Sequence, residues 1–179
     1  TRLPNSDSVV SGNQITLTSG VSWSEPGSQA VGMLLGWAYE QGFLVENNEI
    51  NMTKYGIGIM VHDSGSAANP LKLKGNTVTS TASAANEPSD GSGIYVSNEY
   101  LYGPSDTGSS YIVMDEGNVI SGFATGINVE NLSASGQTLT VIAEDNKILD
   151  NTKQVVTTGT PDFHVDASPN WWGSPCGPE

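Results

Sequence analysis

Residues 71–78 read LKLKGNTV, and this stretch decides the fold. Leu71 and Leu73 alternate with Lys72 and Lys74, a period of two that marks a strand with one face buried and the other in water. The leucines point inward and the lysines outward. Gly75 and Asn76 then break the strand, and an apolar residue, Val78, follows two positions after the asparagine.

The same unit recurs along the chain. It appears as FLVENNEI at Asn48, YIVMDEGNVI at Asn118, LTVIAEDNKI at Asn146 and FHVDASPNWW at Asn170, with a less regular copy, SVVSGNQI, at Asn13. A second pattern follows most copies: GMLL from Gly32, GIMV from Gly58, GIYV from Gly93 and GINV from Gly126. The asparagines are 35, 28, 42, 28 and 24 residues apart. Repetition of this kind has a reason in a solenoid, where each coil buries its apolar side chains only by stacking on the next. The basic coil is then about 24 residues, and the longer spacings carry insertions of loop composition such as TSTASAANEPSDGSG and SNEYLYGPSDTGSS. No stretch shows a helical period. The chain is therefore expected to be almost wholly strand and turn, with Leu71, Leu73, Ile94, Val96, Ile112, Ile127, Val129, Leu139, Val141 and Val165 in the core and Lys72 and Tyr95 outside.

Asparagine tolerates the left-handed conformation, and its amide can bond to backbone and to other amides. Six of them at equivalent turns predict a polar ladder up the stack. On these residues the chain resembles the right-handed parallel β-helix repeats of the pectin-lyase-like superfamily. The closing NWWGSPCGP (170–178) is similar to the Asn-Trp-Trp-Gly…Gly-Pro sequence that ends the helix in many secreted and surface bacterial proteins. The resemblance implies an all-β fold: one right-handed parallel β-helix of about six coils over residues 1–179, with loop insertions at the turns. It also implies a piece of a larger secreted or cell-surface protein, whose other domains are its partners. Trp171 and Trp172 are expected to close the apolar end of the last coil, with Pro175 and Pro178 stopping further pairing.

The formal charge is −13, from 19 acidic and 6 basic residues. Such a surface repels phosphate backbones and anionic lipid, so nucleic acid is excluded as a partner. Nothing in the chain has the length of apolar sequence that membrane insertion needs. Cys176 is the single cysteine, so no intrachain disulfide forms. The expected compartment is extracellular or the cell surface.

The catalytic inventory is poor. Arg2, in the N-terminal tail, is the one arginine, whereas capture of anionic sugars calls for fixed guanidinium forks. His62-Asp63 is the best isolated acid–base pair, yet neighbours on a strand face opposite ways. His164 has no obvious partner. The carboxylate pairs Asp115-Glu116 and Glu144-Asp145 fall at consecutive turns, a corner at which Ca²⁺ is the one cofactor worth testing. Asn51-Met-Thr53 and Asn131-Leu-Ser133 match a glycosylation pattern that this composition produces by chance.

Aromatics outside the core pattern are the better lead. Trp37, Tyr39, Tyr95, Tyr100 and Tyr102 are candidate ligand-binding residues, because aromatic faces stack on the apolar faces of sugar rings. Trp23 lies in the early insertion. The sequence thus supports a non-catalytic extracellular module, a rigid scaffold or adhesin with a glycan-binding surface. The alternative is a polysaccharide-acting enzyme (lyase, hydrolase or epimerase) using Lys54, Lys72 or His62 as base. Convergence of Lys72, Asp115 and Glu144 with Tyr95 or Tyr111 separates the two.

Overall fold

The computed structural model describes residues 8–18, 30–36, 42–53, 56–81, 91–98, 109–131, 138–159 and 162–173. Every regular element among them is a β-strand, and every pairing is parallel. The first sheet holds β1 (Val9–Ser11), β4 (Leu44–Glu46), β7 (Leu71–Lys74), β10 (Ser110–Asp115), β13 (Leu139–Ala143) and β16 (Phe163–Asp166). The second holds β2 (Gln14–Leu17), β5 (Glu49–Met52), β8 (Thr77–Ser80), β11 (Val119–Ser121) and β14 (Lys147–Leu149). The third holds β3 (Val31–Gly36), β6 (Ile57–His62), β9 (Ser92–Ser97), β12 (Thr125–Asn131) and β15 (Lys153–Gly159). Each strand pairs with the one three places further along. The chain lays one strand in each sheet before returning to the first, a progression compatible with a parallel β-helix.

Register turns the sequence repeat into columns of like residues. Val10, Val45, Leu73, Met114 and Ala143 line up in the first sheet. Ile15, Ile50, Val78, Ile120 and Ile148 do so in the second, and Met33, Ile59, Ile94, Ile127 and Val155 in the third. These columns meet in one hydrophobic core. Each fully buried Ile, Leu or Val contributes about 1.5–3 kcal/mol, which in this fold is available only because the neighbouring circuits cover it. The expected inward residues are buried, except that Val165, on the last strand, is half-buried against the core. Lys72 is exposed and Tyr95 partly so, which fixes the register as expected.

The polar ladder runs unbroken through all six asparagines. Nδ2 of each donates to Oδ1 of the next at 2.8, 2.9, 3.0, 2.8 and 3.0 Å from Asn13 to Asn170. The backbone N–H of each donates to the same oxygen at 2.9–3.2 Å. The amides also reach back to the carbonyls of Val10, Val45, Leu73, Met114 and Ala143, the inner column of the first sheet. At the first five rungs the left-handed residue is not the ladder asparagine but the one before it. Gly12, Asn47, Gly75, Gly117 and Asp145 have φ of 67°, 53°, 60°, 86° and 55°. That single turn delivers the asparagine side chain inward.

The glycines of the second pattern have a different reason. A Cβ on Gly32, Gly58, Gly93 or Gly126 would lie 2.7, 2.2, 2.3 or 2.8 Å from Ile50, Val78, Ile120 or Ile148, the inner column of the second sheet. It would also stand 2.6–2.8 Å from a carbonyl oxygen of the adjacent strand. None of the four has a positive φ. Steric closeness, not backbone freedom, requires glycine there.

At the far end the two tryptophans divide the work. Trp171 continues the second sheet by a bridge to Lys147, with its N–H on the Asn146 carbonyl at 2.8 Å and its own carbonyl taking the Ile148 N–H at 2.8 Å. Trp172, facing the other way, packs against the core, while Trp171 remains 49% exposed. The cap is therefore one tryptophan, not two. Pro175, Cys176 and Pro178 lie outside the described residues.

Five substitutions test this packing through the unfolding midpoint. Gly58→Ala should cost at least ~1–3 kcal/mol by overpacking. Gly36→Ala, whose Cβ would meet nothing closer than 3.5 Å, should be nearly neutral. Asn118→Ala removes the acceptor for the Asn76 N–H and amide and the donor to the Leu73 carbonyl, at ~1–3 kcal/mol for each buried group left unpaired. Trp172→Ser should lower the midpoint by somewhat less than the ~3–5 kcal/mol of a fully buried tryptophan, and Trp171→Ser by far less.

Candidate functional site

With the inner faces committed to the core, chemistry is left to the outer faces and the turns. In the third sheet alternation sends two columns outward. The first is Leu34, Met60, Tyr95, Asn128 and Val156; the second is Gly36, His62, Ser97, Glu130 and Thr158. Side chains of adjacent circuits stand ~4.8 Å apart in such columns.

These columns bring three proton-handling groups together. The Tyr95 hydroxyl donates to Glu130 Oε2. Thr158 Oγ1 donates to the other carboxylate oxygen at 3.4 Å. His62 meets the Tyr95 ring edge-on, centroids 6.4 Å apart and planes at 71°. His62 is 1% exposed and Ser97 fully buried although both belong to the outward set, so this end of the face is covered. At the ends of the strands, Asn98 Nδ2 donates to Asn131 Oδ1 at 2.6 Å and Asn131 Nδ2 to the Asp162 carbonyl at 2.8 Å. Buried and so employed, Asn131 is a structural residue rather than a glycosylation acceptor.

Of the five aromatic candidates, Tyr95 sits on this face. Trp37, Tyr39, Tyr100 and Tyr102 lie outside the described residues, as do Trp23 and Lys54. His62 ends β6 as a buried residue, and Asp63, also buried, takes φ of 38° immediately after it, so the chain turns at Asp63. Glu130 and Asn128 did not stand out in the sequence. The available signal was alternation within TGINVEN, which sends Asn128 and Glu130 to the same side as Tyr95.

Lys72, Asp115 and Glu144 do not join Tyr95. Lys72 and Asp115 are on the first sheet, where Lys72 faces Val113 and Asp115 faces Lys74. Tyr111 shares that sheet but is four residues, about 13 Å, along the strand from Asp115. The convergence that would favour an enzyme built on these residues is absent among the described residues.

The acidic corner carries its own counter-charge. Lys74 forms an ion pair with Glu116. Among the described residues no group of three or more His, Cys, Asp or Glu side chains is arranged to hold a metal ion. Glu116 holds the Lys74 ammonium above the ordinary lysine range, first through their hydrogen bond and then through its charge, with smaller contributions from Asp115 and Glu46.

No family model, curated protein or solved structure matches the chain.

Because the Lys74 pKa is raised, its contribution to stability is complete below the ordinary lysine value and lost only as pH rises through the raised one. Glu116→Gln should therefore return the Lys74 pKa, followed by NMR, toward the ordinary value. Any midpoint difference from the parent should vanish above the lysine range and stay flat with pH near neutrality.

Proposed function

We propose that the chain is a right-handed parallel β-helix module of a secreted or cell-surface protein, a non-catalytic rigid scaffold or adhesin whose third sheet is its display face. The observation that carries this is the unbroken six-asparagine ladder. It locks every circuit to the next through amides that are buried at the four inner rungs, so the module holds its outer columns at fixed spacing. Right-handedness agrees with the hand of parallel strand–crossover–strand connections in general. The resemblance of the repeats and of the closing tryptophan motif to surface β-helix proteins supports the compartment.

One observation favours the alternative, a polysaccharide-acting enzyme of the pectin-lyase-like kind. His62, Tyr95 and Glu130 adjoin one another, and groups of these types carry general acid–base chemistry. Against it stand the burial of His62 and the lack of lysine or arginine in these two outer columns.

The test is turnover. The protein and its Glu130→Gln variant are incubated with neutral and acidic polysaccharides, with Ca²⁺ or with chelator, and new reducing ends and unsaturated products are measured. The scaffold reading expects neither above background. Products from the parent that fall at least tenfold in Glu130→Gln would move the assignment to the enzyme.

A further inference from the structure

Asparagines in this fold spend their side chains on the fold. Asn48, Asn76, Asn118 and Asn146 run the ladder. Asn98 and Asn131 tie the ends of the third sheet, and Asn151 takes the Phe123 N–H and donates to the Ile120 carbonyl. Even Asn51, on an outer face, holds Glu49 and Thr79.

Among the described asparagines with a shielded amide oxygen, Asn128 is the exception. Its Oδ1 is shielded from solvent and accepts no hydrogen bond among the described residues. A shielded acceptor without a donor is destabilising, and native interiors seldom keep one. The fold has no need of an amide here, since the same column holds Val156 on the next strand and Met60 and Leu34 further back. A local rule broken where an apolar residue would fit marks a position kept for something other than folding.

Its surroundings say what. Asn128 faces Tyr95 across β9 and β12 and lies two residues from Glu130. Glu130 takes the Tyr95 hydroxyl, which fixes the ring. An aromatic ring, an amide NH₂ donor and a carboxylate acceptor sit together on a rigid face. We propose that Tyr95, Asn128 and Glu130 form a binding site for a neutral, hydroxyl-rich ligand, an uncharged glycan chain lying across β9 and β12. The ring stacks on the apolar face of a sugar, the Asn128 Nδ2 donates to a hydroxyl, and Glu130 accepts from one more. Lysine and arginine are absent from both outer columns, and Glu130 would oppose a carboxylate or sulfate, so acidic glycans are rejected.

The site rests on the reading of the third sheet as the display face. Its test uses the whole chain, with cellohexaose and mannohexaose as neutral probes and polygalacturonate as the acidic one, each followed by calorimetric titration. Binding of a neutral probe is expected, weakened about tenfold or more by Tyr95→Ala and by Asn128→Leu and unchanged by Trp171→Ser. Asn128→Leu should at the same time keep or raise the unfolding midpoint, which an amide needed by the fold would not allow. A fall in that midpoint overturns the proposal, as does preference for polygalacturonate. So does failure to bind either neutral probe at millimolar concentration, or binding indifferent to both substitutions. Absent binding together with absent turnover removes this site and leaves the scaffold reading in place.

Discussion

The hydrogen bond from one asparagine amide to the next, repeated five times, is the interaction on which the rest depends. From Asn48 to Asn170 each oxygen accepts twice, from the amide and from the backbone N–H of the preceding asparagine. Each of these five amides also satisfies the carbonyl of an inner-column residue one circuit back. The corner between the first and second sheets is thus a place where buried backbone groups would otherwise lack partners, and one residue type supplies them all. The arrangement is cooperative. No rung can tilt or slip by a residue without leaving its two neighbours unpaired in a region from which water is excluded.

That register has a steric counterpart at the opposite corner. Gly32, Gly58, Gly93 and Gly126 lie so close to the Ile50–Val78–Ile120–Ile148 column that one added carbon would collide with it. The ladder fixes how far each circuit is turned relative to the next, and the glycines fix how closely the third sheet approaches the second. Leucine, isoleucine and valine then fill the space between, and their burial stabilises the stack only because both corners hold. Polar precision at one corner and missing atoms at the other explain why the two sequence patterns travel together along the chain.

The fold was legible because its determinants are periodic. Leu71 and Leu73 alternate with lysines, Asn76 follows at a fixed step, and Gly93 opens a strand in which Ile94 and Val96 face inward; each repeats the same physical requirement. The left-handed residue was less legible, since glycine, asparagine and aspartate all serve at Gly75, Asn47 and Asp145. Only the position before the ladder residue unites them. Trp172 could be read as a cap, but not its separation from Trp171, which needed the bridge to Lys147 to set which of two adjacent rings faces in. The ion pair of Lys74 with Glu116 was hidden for another reason. The fourth circuit carries one more residue at this turn than the third, and the extra residue, Glu116, is itself left-handed.

Function resists the same reading because the outer columns have no period to betray them. Leu34, Met60, Tyr95, Asn128 and Val156 share a column yet no chemical type, and nothing in the stacking requires that they should. A residue facing outward is constrained by folding only to the extent that it must not harm its neighbours. Where such a residue is costly to the fold, as a shielded amide oxygen is at Asn128, folding cannot be what keeps it. In a stack of parallel strands whose inner face is wholly explained by stacking, functional residues are therefore best sought as outward side chains that the stack would be better without.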